Sequence, residues 1–271
     1  MAKFDKYLVK PGSKFSLDDV KSSDRSERGD SKEEDIHELE RLSFEINALQ
    51  DVLYAQKKHK VLLVLQGMDA SGKDGTVKHV FSECDPLGIR LASFKGPTDE
   101  ELAHDYLWRV HAKVPKKGEI TIFNRSHYED VLIVRVHDWI DDKECKRRYE
   151  HFNDFERMLT ETGTTIIKCY LHLSKEEQKE RMYERLNESH KTWKFNPNDL
   201  KERELWSKYM EAYEDAMRAT STKEAPWYVI PADSKTNRNL LISRILLETL
   251  KDMDLQYPPV PEEYKTIVVE D

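Results

Sequence analysis

The sequence is poor in the residues that mark secreted, zinc-clustered or membrane proteins. It has three cysteines in 271 residues, Cys84, Cys145 and Cys169. Their odd number and wide spacing exclude a disulfide framework, a C-x-x-C redox pair and a cysteine zinc site; free structural thiols in a reducing compartment are expected. No run approaches the roughly 20 apolar residues that span a bilayer. The opening stretch MAKFDKYLVKPGSKF has no apolar signal-peptide core. A soluble, cytoplasmic chain without membrane contact is expected. Positive charge is in deficit, 44 Lys and Arg against 52 Asp and Glu, for a net charge of −8. That argues against general nucleic-acid binding, and any polyanion must meet basic residues gathered locally. The histidines, His104, His111, His127 and His137 among them, show no metal-ligand spacing. Internal repeats are absent too.

What is present is a folding composition, 38% hydrophobic and 10% aromatic, which excludes disorder. The length fits one large α/β domain with an insertion, or two small ones. Residues 1–30 read as a polar, extended or loosely ordered arm. Residues 31–56 then predict a helix, with Ser31 and Glu34 as a capping box and Leu39, Leu42, Ile46, Leu49 and Leu53 at three-to-four spacing. Five apolar, β-branched runs follow, at 61–67, 89–94, 119–124, 164–173 and 227–232, with helical patterns between them. One such helix is expected over 98–114, capped by Thr98 and Glu101, and another over 142–162, closed by Gly163. Strand–helix alternation implies βαβ units on a central parallel sheet, a three-layer α/β fold whose ligands sit at the C-terminal strand ends. A kinase-like domain over 56–255 is expected, after an arm and helix over 1–55. The Pro-containing QYPPVPEEYKTIVVED, 256–271, reads as an extended tail.

The most specific signal is VLLVLQGMDASGKDGTVKHV, an apolar strand, a Gly-rich loop and a helix running to about Cys84. It fits G-x-x-x-x-G-K in the strand–loop–helix context the phosphate motif requires. Gly67, Ala70, Ser71, Gly72 and Gly75 would form the backbone cradle, Lys73 would add a charge, and the helix N-terminus would favour anions. Two aspartates interrupt this anion site. Asp74 stands where Ser or Thr would contact Mg²⁺, and Asp69 lies inside the loop. Carboxylates among phosphate oxygens require a cation between them, and Mg²⁺ favours one or two carboxylates plus phosphates. A plainer reading of Asp74 is a carboxylate serving the helix dipole.

The third run ends ITIFNRSHYEDV. Asn124 occupies the strand-end position that usually carries a metal-binding Asp. Arg125 is suited to bidentate phosphoryl binding. Glu129 restores negative charge near a metal or acceptor, or else Glu129 and Asp130 simply charge the first turn of a helix. Between the fourth and fifth runs lie two polar helical segments, 175–187 and 198–220, joined by ESHKTWKFNP. They carry Arg181, Arg185, Lys191, Lys194, Arg203 and Lys208. They read as a basic lid over 175–222 that closes on phosphates and excludes water, or as a solvated helical hairpin.

Taken together, GMDASGKDGTVKHV, SFKGPTDEELAHDYLWR, IFNRSHYEDVL, the EEQKERMYERL-to-WKFNP region and APWYVIPADSKTNRN resemble the second family of polyphosphate kinases over roughly residues 5–255. The resemblance implies a thymidylate-kinase-like P-loop fold with a helical lid. It also implies Mg²⁺-dependent, reversible transfer between inorganic polyphosphate and nucleotides (Mn²⁺ as the alternative ion), and a homodimer or homotetramer. Asp69, Lys73 and Asp74 match the family's metal- and phosphate-holding residues, Arg125 its strand-end arginine and Arg181 its lid arginine. Lys78, Arg90 and Lys95 would line a polyphosphate path. Many members have Asp-Arg-Ser-Trp-Tyr-Asn where this chain has Asn-Arg-Ser-His-Tyr-Glu. That departure is similar to the class III branch, which phosphorylates nucleoside mono- and diphosphates. It points to Asn124 and Glu129, with Asp130, as acceptor determinants for AMP and ADP, with guanine nucleotides an open question. Two alternatives use the same loop: an ATP-dependent nucleoside monophosphate kinase, and a P-loop nucleotide sensor without turnover.

Overall fold

The computed structural model describes residues 2–269. In chain order its regular elements are β1 (Leu8–Val9), α1 (Lys32–Gln56), β2 (Lys60–Gln66), α2 (Lys73–Val80), β3 (Ile89–Ser93), α3 (Asp99–Leu102), α4 (Trp108–His111), β4 (Ile120–Asn124), α5 (Ile133–Val136), α6 (Asp142–Glu161), β5 (Thr164–His172), α7 (Lys175–Asn187), α8 (Asn198–Glu204), α9 (Trp206–Thr220), β6 (Trp227–Pro231) and α10 (Lys235–Lys251), joined by turns and short 3₁₀ segments. The sheet order is β1-β6-β5-β2-β4-β3. Every pairing is parallel except β1 with β6. β2 lies at its centre, and residues 61–66 are all buried, which is why that run is apolar throughout instead of alternating. α1 packs on α10 and α2 through Leu42, Ile46 and Leu53. Its capping box forms as expected, Glu34 N donating to Ser31 Oγ at 3.1 Å. Helix α6 ends at its C-cap Thr162, followed by Gly163 at φ +88.

Register places the site. Leu65 of β2 is paired with Asn124 of β4, and Gln66 with Tyr170 of β5. The Gly-rich loop and the Asn124–Glu129 turn therefore leave the sheet side by side at its C-terminal edge. Parallel pairing of two buried strands brings together residues more than 50 positions apart in sequence.

The structure departs from expectation in three places, one of them the segment 198–220, which divides into α8 and α9 at Leu205. The segment read as a loosely ordered arm packs into the core, burying Phe4, Tyr7, Val9, Phe15, Leu17 and Val20. Its two-residue β1 pairs antiparallel with β6, Leu8 opposite Tyr228 and Val9 opposite Trp227. Its apolar residues have neither helical nor strand spacing, so periodicity cannot reveal them. The expected helix over 98–114 breaks into α3 and α4. The Asp105 carboxylate accepts from Leu107 N at 2.9 Å, a local turn that competes with helical hydrogen bonding. The tail is anchored by Tyr257, whose hydroxyl donates to Asp51 Oδ2 at 2.5 Å; beyond it, residues 258–269 are exposed. Among the described residues no helix is long and apolar enough to cross a membrane. The three thiols are free, with Cys145 and Cys169 buried.

One polar cluster lies inside the core. Lys168, in the middle of β5, donates to Glu156 Oε2 at 2.6 Å, to the Thr220 carbonyl at 2.7 Å and to Tyr128 Oη at 3.0 Å. Glu156 Oε1 also accepts from Tyr128 Oη at 2.8 Å and faces His127 Nε2 at 3.2 Å. Every member is buried.

Candidate active site

The Gly-rich loop turns through conformations only some residues tolerate. Gly67 has φ +150, and a Cβ there would sit 2.9 Å from the Leu171 carbonyl oxygen. Gly72 has φ +101, and a Cβ there would overlap the Arg238 guanidinium. Neither position accepts a side chain. Ala70 and Arg125 also adopt left-handed backbone, φ +64 and +62, a strain that concentrates at functional sites. α2 starts at Lys73 and runs eight residues, so its positive end faces the loop.

Lys73 is buried and bends back onto its own loop. Nζ donates to the Gly67 carbonyl at 2.7 Å and the Met68 carbonyl at 3.2 Å. Burial, then the neighbouring Arg125 charge, bring its pKa down to about 8, against the pull of Asp69, Glu129 and Asp74. All four predicted charged groups thus act on one ammonium.

The carboxylates are held from the β4 end. Arg125 Nη2 donates to Asp69 Oδ1 at 2.6 Å, and Nη1 to Glu129 Oε2 at 3.2 Å. Glu129 first, and then Asp69, raise the Arg125 pKa against burial. The Gln66 amide, oriented by its neighbours, donates to Glu129 Oε1 at 3.0 Å and accepts from Ser126. Asn124 Nδ2 donates to Asp74 Oδ1 at 2.7 Å. Asp69 and Asp74 therefore each engage Oδ1 and leave Oδ2 without a hydrogen bond among the described residues. Both oxygens of Glu129 are occupied, so it orients Arg125. Among the described residues no three His, Cys, Asp or Glu side chains gather to hold a metal. Two hard carboxylates with one free oxygen each suit a Mg²⁺-like ion whose remaining ligands come from phosphates and water.

The structure places the other predicted cations in separate roles. Arg181 is buried beneath the loop with all five donors used: Glu177 Oε1 at 2.9 Å, the Ala70 and Ser71 carbonyls at 3.0 and 3.2 Å, and the Ala232 and Asp233 carbonyls at 2.6 and 3.0 Å. It braces the cradle from below. Arg203 donates to the Lys175 carbonyl at 2.6 Å and to Gln178 Oε1 at 2.9 Å, while Gln178 Nε2 donates to the Asp69 carbonyl at 2.9 Å. Helices α7 and α8 are thereby wired to the loop. Arg185 pairs with Asp199 at 3.3 Å, Lys191 with Glu184 and Glu188, and Lys208 with Asp138. Lys78, Arg90 and Lys95 make no side-chain ion pair among the described residues, and Lys78 and Lys95 are exposed. Asp130 is not drawn into the Asp69–Arg125–Glu129 chain. It faces Arg109 at 3.8 Å and Arg148 at 4.0 Å, and burial pushes its pKa up to about 6 despite both arginines.

Three residues of this neighbourhood escaped the sequence reading: Gln178, Asp199 and Arg238. Burial, then the charge of Asp69, push the Asp199 pKa up to about 6, so α8 brings a fourth carboxylate within electrostatic range of the loop. Nothing in FNPNDL marks it. Arg238 lies in SKTNRN, a stretch whose pattern says only helix start. A cavity of about 600 Å³ between Leu17, Leu173, Trp206 and Met210 contains none of these site residues. The Gly-rich loop is shaped instead by its backbone, with Met68, Ala70, Ser71 and Lys73 buried.

Residues 29–258 match the family model described as polyphosphate kinase 2. The chain belongs to the polyphosphate kinase 2 family. It is 51% identical over 265 residues to the AMP/ADP-polyphosphate phosphotransferase of Meiothermus ruber, covering 98% of this chain and 99% of that one. It is 44% identical over 238 residues to the ADP-polyphosphate phosphotransferase of Rhodopseudomonas palustris, covering 83% and 82%. The crystal structure of polyphosphate kinase 2 from Arthrobacter aurescens TC1 superposes with a TM-score of 0.90 at 43% identity, covering 94% of this chain and 90% of that one. As a polyphosphate kinase 2, the chain is a phosphotransferase of the class III-like branch, and its sheet and helical layers are those of the family.

Proposed function

We propose that the chain transfers the terminal phosphoryl group of inorganic polyphosphate to AMP and to ADP, and runs in reverse when ATP is in excess. An oxygen of the acceptor's last phosphate attacks the terminal phosphorus of the chain. The P–O–P bridge breaks, and polyphosphate leaves one unit shorter. The observation that carries the reading is the Asp69–Arg125–Glu129 chain beside Lys73, which sets acids and bases in alternation where two phosphate chains would meet. Phosphoryl transfer needs little else than positioning and charge neutralisation. The substrate assignments agree with the activities for which the relatives are named. Asp69 and Asp74 would hold Mg²⁺ or Mn²⁺, which supplies charge neutralisation between phosphates. Lys73 and the Gly72 N–H hold phosphate oxygens, and Arg125 spans donor and acceptor sides. Lys78, Arg90 and Lys95 are proposed to receive the polyanion, and residues 175–222 to move as the lid. A cytoplasmic homodimer or homotetramer completes the proposal.

The test is direct. Purified protein with Mg²⁺ and polyphosphate is given AMP or ADP, and ADP and ATP are followed by chromatography. Products from both acceptors are expected. No product from either overturns the reading, and activity with ATP as sole donor would favour a conventional monophosphate kinase.

Acceptor choice is assigned to Asn124 and Glu129. Replacing Glu129 with Asn releases one side of Arg125 and leaves Gln66 without its acceptor. The ratio of AMP to ADP rates is expected to change by about tenfold, equivalent to ~1.4 kcal/mol of barrier. An unchanged ratio removes Glu129 from acceptor selection.

A further inference from the structure

Two arginines lie under the phosphate loop. Arg181 of α7 and Arg238 of α10 both donate through Nη1 to the Ser71 carbonyl, at 3.2 and 3.1 Å. In a trans peptide the carbonyl and the following N–H point in opposite directions. Capturing Ser71 O from beneath therefore turns the Gly72 N–H to the open side of the loop, and that N–H makes no hydrogen bond among the described residues. The other Arg238 donors go to one neutral oxygen, Asn239 Oδ1, at 3.1 Å from Nε and 2.9 Å from Nη2. Arg238 is 2% exposed, and no carboxylate pairs with it among the described residues. Burial and then the Arg181 charge bring its pKa down to about 9. A buried cation without a counter-ion is costly. The loop's glycines make room for it: a Cβ on Gly72 would overlap the guanidinium, and one on Gly75 would lie 3.3 Å from Nη2.

We propose that Arg238 is a positioning residue of the phosphate loop. With Arg181 it fixes the Ser71–Gly72 peptide so that the Gly72 N–H meets a bound phosphate, and that phosphate supplies, through the loop, the counter-charge that Arg238 lacks. The proposal rests on the reading of this loop as a phosphate site. It predicts that polyphosphate binding and the integrity of Arg238 are coupled in both directions: the anion stabilises the fold more when the arginine is present.

Full-length parent, Arg238→Met, Arg238→Lys and Gly75→Ala are compared by thermal melts with and without sodium polyphosphate, and by steady-state kinetics with ADP. In Arg238→Met the polyphosphate-induced rise in Tm is expected to shrink to less than half. Its KM for polyphosphate is expected to rise at least tenfold, with a smaller fall in kcat. Arg238→Lys returns the charge but not the forked donor, so it recovers most of the Tm rise while KM stays elevated. Gly75→Ala, which crowds the guanidinium without removing it, is expected to move KM in the same direction by a smaller factor. If the parent shows the polyphosphate-induced rise and Arg238→Met keeps both the rise and the parent KM, the positioning role is overturned and the phosphate reading survives. A lower melting point in Arg238→Met with that rise and KM unchanged reduces Arg238 to a structural role. A parent whose melting does not respond to polyphosphate overturns the phosphate reading and this proposal with it.

Discussion

Lys73→Met is expected to lower polyphosphate-dependent turnover by about 10³-fold or more, while the ligand-free variant melts at or above the parent temperature. The two halves come from one observation. The Lys73 ammonium is buried against Gly67 and Met68 carbonyls, beside Arg125, and its pKa is brought down to about 8. In the unfolded chain it returns to 10.5. Below pH 8 both states carry the proton, and the folded state bears the cost of an unfavourably placed charge. Between about 8 and 10.5 the folded state has released the proton and the unfolded state has not, so stability rises with pH in this window. Methionine keeps the stem and removes the charge, which offsets the two carbonyl hydrogen bonds it loses. Bound phosphate reverses the balance by giving the ammonium anionic partners. Consequently, polyphosphate affinity of the parent is expected to weaken above pH 8 and that of Lys73→Met to show no such step. Melting curves, rates and a binding titration from pH 6.5 to 9.5 check this. Near-normal turnover in Lys73→Met would mean that the phosphates bind elsewhere, and a large fall in Tm would make the lysine structural.

How far the sequence alone reaches depends on whether a signal is local. The loop, the five parallel strands, α1 with its Ser31–Glu34 box and the end of α6 at Gly163 were all legible, because each rests on spacing within a few residues. The pairing of Asn124 with Asp74, and of Arg125 with Asp69, was not. Both depend on β2 and β4 being neighbours in register, a fact carried by topology. Arg181 shows the limit most clearly. As a residue of a basic helical pair it suggested a phosphate ligand, yet its five donors all end on Glu177 and four backbone carbonyls. Composition counts charges and cannot tell which have partners. The same blindness hid the arm: Phe4, Tyr7 and Phe15 are buried by β6 and its neighbours, at spacings dictated by what they cover.

Lys168 is the other residue whose loss is expected to be severe, this time for stability. TTIIKCYLHL read simply as an apolar, β-branched strand; its one lysine is wholly buried, bonded to Glu156, Tyr128 and the Thr220 carbonyl. Removing one partner of a buried pair strands the other charge, at a cost of about 3–5 kcal/mol, so Lys168→Met is expected to lower the melting temperature by roughly 10 °C. The stranded carboxylate has a neighbour able to respond. Burial, more than anything else, holds the His127 pKa below its usual value, with Glu156 pulling upward and Lys168 pushing down. Deleting Lys168 removes one of the influences that lower it, so the His127 pKa rises toward its usual value while burial still opposes the charge. A histidine whose folded pKa lies below its unfolded one loses stability as pH falls through the unfolded value, about 6.5. Lys168→Met is therefore expected to lose less stability than the parent between pH 8 and pH 6. The double variant Lys168→Met, Glu156→Leu removes both charges and is expected to recover at least half of the loss, without that pH response. Denaturant midpoints for the parent, both single variants and the double at the two pH values decide the matter. Additive losses in the double would mean that Lys168 and Glu156 act on the core independently, against the 2.6 Å pairing observed between them.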